Sequence, residues 1–78
     1  MVKAYVLVAI EGVEPSVAAK ELNNIDEIEN VHLIFGEYNL IAIVNSKSLF
    51  GLKEAAIEKI SRIRGVVKTS ILIVADEE

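Results

Sequence analysis

The chain has 78 residues, enough for one small domain that buries only about 60 to 65% of its unfolded surface. Hydrophobic residues make up 53% of it, yet no apolar run reaches the roughly 18 residues of a membrane span, and the absence of cysteine excludes a disulfide framework or a thiolate zinc site. Twelve acidic against eight basic side chains leave a net charge of -4, which opposes the phosphate neutralisation behind nucleic-acid affinity.

Val2 to Ile10 is rich in valine and isoleucine and too short for a helix, so it reads as a strand closed by Glu11 to Glu14. Pro15 suits a first helical position, and Ala18, Ala19, Leu22 and Ile25 share one face of a short helix ending near Asn23-Asn24. Ile28 to Phe35 and Leu40 to Asn45 form a hairpin around Gly36-Glu37-Tyr38-Asn39. Ser46-Lys47-Ser48 offers capping hydroxyls for a second helix, in which Leu49, Leu52, Ala56, Ile60 and Ile63 recur at helical intervals until Gly65. Glu58 and Arg62, four apart, attract one another on that helix. Val66 to Val74 is the last strand, and Asp76 to Glu78 reads as a solvated acidic tail after a single domain over 1–75. The opening Met1-Val2-Lys3-Ala4 lacks the pattern of a signal peptide, so the cytoplasm is the expected location.

The order βαββαβ with right-handed crossovers predicts an α+β, ferredoxin-like fold: a four-stranded antiparallel sheet of order 4-1-3-2 with two helices on one face. The other face should then be polar in a monomer, but Tyr5, Leu7 and Ala9 alternate with Val6, Val8 and Ile10, so both faces of the first strand are apolar. Ile41 and Ile43 oppose Leu40, Ala42 and Val44, and Ile71 and Ile73 oppose Leu72 and Val74. An oligomer is expected to cover the open face, with Tyr5, Leu7, Ile41, Ile43, Ile71 and Ile73 as its interface.

Catalytic chemistry finds no assembled parts among one histidine and four scattered glycines, so no catalytic residue, metal or cofactor is expected. His32 has no ligating neighbour and reads as structural. Glu11 and Glu14 flank a turn without calcium-loop spacing, and Tyr5, Phe35, Tyr38 and Phe50 are too dispersed for a base-stacking platform.

Two stretches stand out, Gly36-Glu37-Tyr38-Asn39 and Gly65-Val66-Val67-Lys68-Thr69-Ser70-Ile71. With the opening Ala4-Tyr5-Val6-Leu7-Val8 and Glu29-Asn30-Val31 ahead of the hairpin, the chain from about Lys3 onward resembles the regulation-of-amino-acid-metabolism (RAM) domain, the effector-binding and assembly half of Lrp/AsnC transcriptional regulators. Nothing resembling that family's DNA reader precedes the first strand, so the resemblance implies a stand-alone effector domain. It further implies dimers that pair sheet against sheet and gather into an octamer or similar ring, a small amino acid bound between dimers, and co-assembly with full-length regulators. Carried over by motif, Gly36 and Asn39 match the family's Gly-x-x-Asp turn, with Tyr38 between them, while Thr69 and Ile71 match its Thr-x-Thr stretch. The neutral Asn39 and the apolar Ile71 depart from that pattern, so amino-acid binding is expected to be weakened, altered or absent. Two strand spacings, roughly 10 Å, and about five residues along the strands, roughly 16 Å, are expected to part Thr69 from Asn39, which would put the two on different protomers at any shared ligand.

An ACT domain, another amino-acid sensor, ranks second, since Gly12 allows its loop but the later spacing fits less well. A small dimeric αβ-barrel enzyme would need polar groups between sheet and helices, and an acylphosphatase-like site would need arginine where Glu11-Gly12-Val13-Glu14 is acidic.

Overall fold

The alternation of the first strand sets the architecture. In the computed structural model, which describes residues 1–75, β1 (Val2–Ile10), β2 (Ile28–Leu33), β3 (Leu40–Ser46) and β4 (Val66–Ile73) form a four-stranded antiparallel sheet of order β2-β3-β1-β4, the expected 4-1-3-2 read from the other edge, with β1 in its interior. Ala4, Val6 and Val8 are wholly buried, and Tyr5, Leu7 and Ala9 on the opposite side are half-buried. The expected acidic tail, Asp76 to Glu78, lies outside the described residues.

Gly12, at a φ of 82°, turns the chain into α1 (Pro15–Leu22), where proline occupies a position whose missing N–H is no loss and Ala18 and Leu22 point one turn apart into the core. The second strand, β2 (Ile28–Leu33), stops two residues earlier than its apolar run predicts. The Ile34 N–H donates to the Asn39 carbonyl at 2.9 Å and starts the hairpin loop, leaving Phe35 fully exposed. In β3 (Leu40–Ser46) the buried Leu40, Ala42 and Val44 alternate with the half-buried Ile41 and Ile43.

Ser48 caps α2 (Leu49–Lys53), its hydroxyl accepting from the Gly51 N–H at 3.0 Å. The helix then continues into a π-helical segment, Glu54–Lys59, and a 3₁₀ turn, Ile60–Arg62, where one regular helix was expected. The altered winding presents two successive alanines, Ala55 and Ala56, to the sheet between Leu52 and Ile60, all four wholly buried; Leu49, expected on the apolar face, is 45% exposed. Each large fully buried side chain here, such as Leu22, Leu52 or Ile60, contributes about 1.5–3 kcal/mol of transfer free energy.

Gly65, at a φ of 95°, ends this helix, and its carbonyl accepts from the Glu11 N–H at 2.8 Å. A side chain at Gly65 would run into that of Val13, so the close approach of two loops requires glycine. The last strand, β4 (Val66–Ile73), pairs with β1 through a bulge, Lys68 opposing Ala9 and Val66 opposing Ile10.

Pairing also assigns the faces of β4. Ile71 lies opposite Val6 and Ile73 opposite Ala4, on the helix-covered side, while Leu72 lies opposite Tyr5, Ser70 opposite Leu7 and Lys68 opposite Ala9 on the open side. Ile71 and Ile73 therefore do not share a face with Tyr5, Leu7, Ile41 and Ile43. Both parities of β4 are apolar around Ile71, and only the register with β1 decides between them.

Candidate functional site

The hairpin loop closes against the end of the central strand through one residue. The Asn39 N–H donates to the Val8 carbonyl at 2.9 Å, its carbonyl accepts from Ile34, and its side-chain Oδ1 accepts from the Ile10 N–H at 2.6 Å. A backbone N–H can face only an acceptor, so this bond orients the amide: Oδ1 is turned toward β1 and the Nδ2 group away from that N–H. Beside it, the half-buried ring of Tyr38 has the Lys68 ammonium 5.6 Å from its centroid, a cation–π contact that links the hairpin to β4.

Leu40 and Thr69 both pair with Val8. Asn39 and Thr69 are thus offset along the strands by about one residue, roughly 3.4 Å, instead of the expected 16 Å or so, and only the lateral spacing of about 10 Å remains. Strand counting had made two protomers necessary for contact with one ligand; the register removes that necessity. It also changes the residue concerned, because Thr69 follows Val8 to the helix side while Lys68 takes the open side with Ala9.

The open face carries Tyr5 and Leu7 from β1, Ile41 and Ile43 from β3 and Leu72 from β4, all half-buried except Leu72, which is 52% exposed. Polar groups bound this stripe. On the β2 edge, His32 opposes Ile41 and Asn30 opposes Ile43, with Asn30 Nδ2 3.4 Å from His32 Nε2. On the β4 edge are Ser70 and Lys68, and Lys3 stands 5.9 Å from the Tyr5 ring centroid.

A family model described as the Lrp/AsnC ligand binding domain matches residues 3–78. The chain belongs to that family. No curated protein matches it in sequence. Among solved structures, hypothetical protein PHS023 from Pyrococcus horikoshii is similar at 27% identity and a TM-score of 0.87, with 99% of this chain and 93% of that one covered. E. coli AsnC gives 23% identity and a TM-score of 0.88, and 97% of this chain covers 52% of it. The transcriptional regulator NMB0573 from Neisseria meningitidis, solved as a complex with L-Met, gives 14% and 0.84, with 97% and 51% covered. At these last two identities the likeness is one of fold, and this Lrp/AsnC domain spans about half the length of each regulator.

Within the Lrp/AsnC domain, the residues carried over by motif are only partly brought together. Tyr38 and Asn39 meet at the hairpin end, joined by Lys68, which is not among the residues matched by motif. Gly36, at a φ of 135° with open space around it, serves the turn. Ile71 is packed against the core. Two surface clefts lie elsewhere: one of about 370 Å³ bounded by Met1, Asp26, Glu27, Asn45, Ser46 and Lys47, another of about 260 Å³ among Phe50, Lys53, Glu54, Ile57 and Glu58. Near the first, Lys59 bonds Glu27 at 3.0 Å, which holds the Glu27 carboxyl below the usual carboxylate range and the Lys59 ammonium above the usual lysine range. The expected Glu58–Arg62 pair is a loose, exposed contact at 3.8 Å. Among the described residues no three histidine or carboxylate side chains are grouped to hold a metal, and no helix is long and apolar enough to cross a membrane.

Proposed function

We propose that this domain is a non-enzymatic module of effector sensing and assembly that acts in the cytoplasm, pairing with a second copy through its open sheet face and gathering as dimers into an octamer or similar ring. The observation that carries this reading is the uncharged stripe Tyr5, Leu7, Ile41, Ile43 and Leu72 on the side of the sheet that no helix covers. Covering such surface gains about 25 cal/mol per Å², and the polar margin of Asn30, His32, Ser70 and Lys68 suits the rim of an interface. The effector is a small metabolite that carries the carboxylate and side chain of an amino acid, taken at the hairpin end where copies meet; the L-Met complex of a regulator with the same fold supports a ligand of this size and acid group. With a net charge of -4, the domain acts on DNA by co-assembling with a full-length regulator of its family, not by direct contact.

Sedimentation or light scattering at micromolar concentration tests the assembly and should give a dimer or a multiple of it. A monomer mass across that range would refute the assembly. Gel retardation with duplex DNA at physiological salt should show no shift of the 78-residue chain, with or without amino acids.

A further inference from the structure

In a Gly-x-x-Asp turn the last residue is a carboxylate with two equivalent oxygens. Asn39 has one oxygen, and the Ile10 N–H already holds it at 2.6 Å. What the side chain turns away from β1 is therefore an amide NH₂, a donor, where aspartate would present a second acceptor. No described residue bonds those hydrogens, and no side-chain nitrogen or oxygen is both buried and unpartnered, so the group remains open to whatever lies outside the hairpin end. The charge over the neighbouring ring has the same sense. Lys68 stands over the Tyr38 ring, adjacent in the chain to Asn39, and an ammonium so placed repels a second ammonium and attracts a carboxylate. Glu37, in the same loop, is as exposed to water as Lys68, and the two differ in that Lys68 is held over the Tyr38 ring.

We infer that the hairpin end recognises a small carboxylic acid lacking an α-ammonium group, a 2-oxo or 2-hydroxy acid, through the Lys68 ammonium and the outward Nδ2 of Asn39. The inference rests on the reading of this domain as an effector module and changes the chemistry of its effector. An amino acid brings an ammonium that finds Lys68 beside it and no carboxylate at Asn39. The 2-oxo acid of the same side chain brings the identical carboxylate and loses that conflict. In the bonding pattern seen here, Asn39→Asp alters one outward atom only: the inward oxygen still accepts from Ile10, and the outward NH₂ becomes an oxygen that accepts from an ammonium.

Calorimetric titration of the intact assembled chain with two matched pairs of probes, alanine against pyruvate and leucine against 4-methyl-2-oxopentanoate, reads the preference directly. The oxo acid should bind at least about tenfold more tightly than its amino acid. Asn39→Asp should reverse that order, and Lys68→Met should lower oxo-acid affinity by about tenfold. Equal or tighter binding of the amino acids by the unsubstituted chain would overturn the inference and leave the effector reading standing. Binding of neither class would overturn the inference and the sensing half of that reading together, the assembly half being judged separately by mass.

Discussion

The two faces of the sheet are built from nearly the same side chains and meet different fates. Ala4, Val6 and Val8 lie under the helices with no exposure, whereas Tyr5, Leu7 and Ala9, interleaved with them on one strand, remain half-open. Hydropathy along β1 does not separate the two sets. What separates them is the partner: α1 and the α2 region provide Ala18, Leu22, Leu52, Ala55, Ala56 and Ile60 for one face, and the described residues provide nothing comparable for the other. A strand apolar on both sides in a domain with one helical layer thus states a requirement that the protomer alone leaves unmet.

Adjacent substitutions on β1 test this contrast most severely. Val6→Asp places a carboxylate among fully buried apolar groups, at a cost of several kcal/mol against a total stability of about 5–15 kcal/mol, so circular dichroism should show an unfolded chain at every concentration. Leu7→Asp puts the same group where water still reaches it in the protomer, and it should shift the mass to monomer and remove the concentration dependence of melting. A Leu7→Asp protein with the parent's mass would exclude the open face as the interface.

Gly65→Ala probes the helix-covered side from its margin. A β-carbon at that positive φ conflicts with Val13, and destabilisation of about 1–3 kcal/mol is expected in urea titration, without a change in assembly. The smallest effect should come from Lys59→Gln, which removes the tie between the end of the helical layer and Glu27. Because the Glu27 pKa is depressed, its contribution is present above the ordinary carboxylate range and lost as pH falls through the folded value. Because the Lys59 pKa is raised, its contribution is present below the ordinary lysine range and lost as pH rises through the folded value. The parent should therefore exceed the variant slightly near neutral pH, and the difference in urea midpoint should close in strong acid and in high salt.

Most of the architecture was legible because period and punctuation agree. The valines and isoleucines of residues 2–10, Pro15 at a helix start and Gly65 at a helix end each have one local explanation, and together they leave few topologies. The face of β4 was not legible, since Ile71, Leu72 and Ile73 are equally apolar and the bulge opposite Ala9 and Ile10 shifts the count. Nor was the winding of residues 54–59, because Leu52, Ala56 and Ile60 satisfy an α-helical period whether or not a wider turn intervenes. At the candidate site, Asn39 was visible from its turn, but its bond to Ile10 spans 29 residues and leaves no local pattern. Lys68 becomes visible as a site residue only once Ala9 is known to stand opposite it.

The Asn39 clasp also makes one proton of the central strand unlike its neighbours. The backbone of Val6 is fixed between Ala42 and Ile71 on the two adjoining strands, so its amide hydrogen should exchange with deuterium only when the sheet opens. The amide of Ile10 is held by a side chain with two rotatable bonds, and releasing it takes a rotamer change with no strand separated. Its exchange should be fast for a residue only 8% exposed, and it should slow when a molecule outside the hairpin grips the other end of the Asn39 amide. One backbone resonance at the end of β1 is thereby a readout for the proposed ligand at the hairpin end.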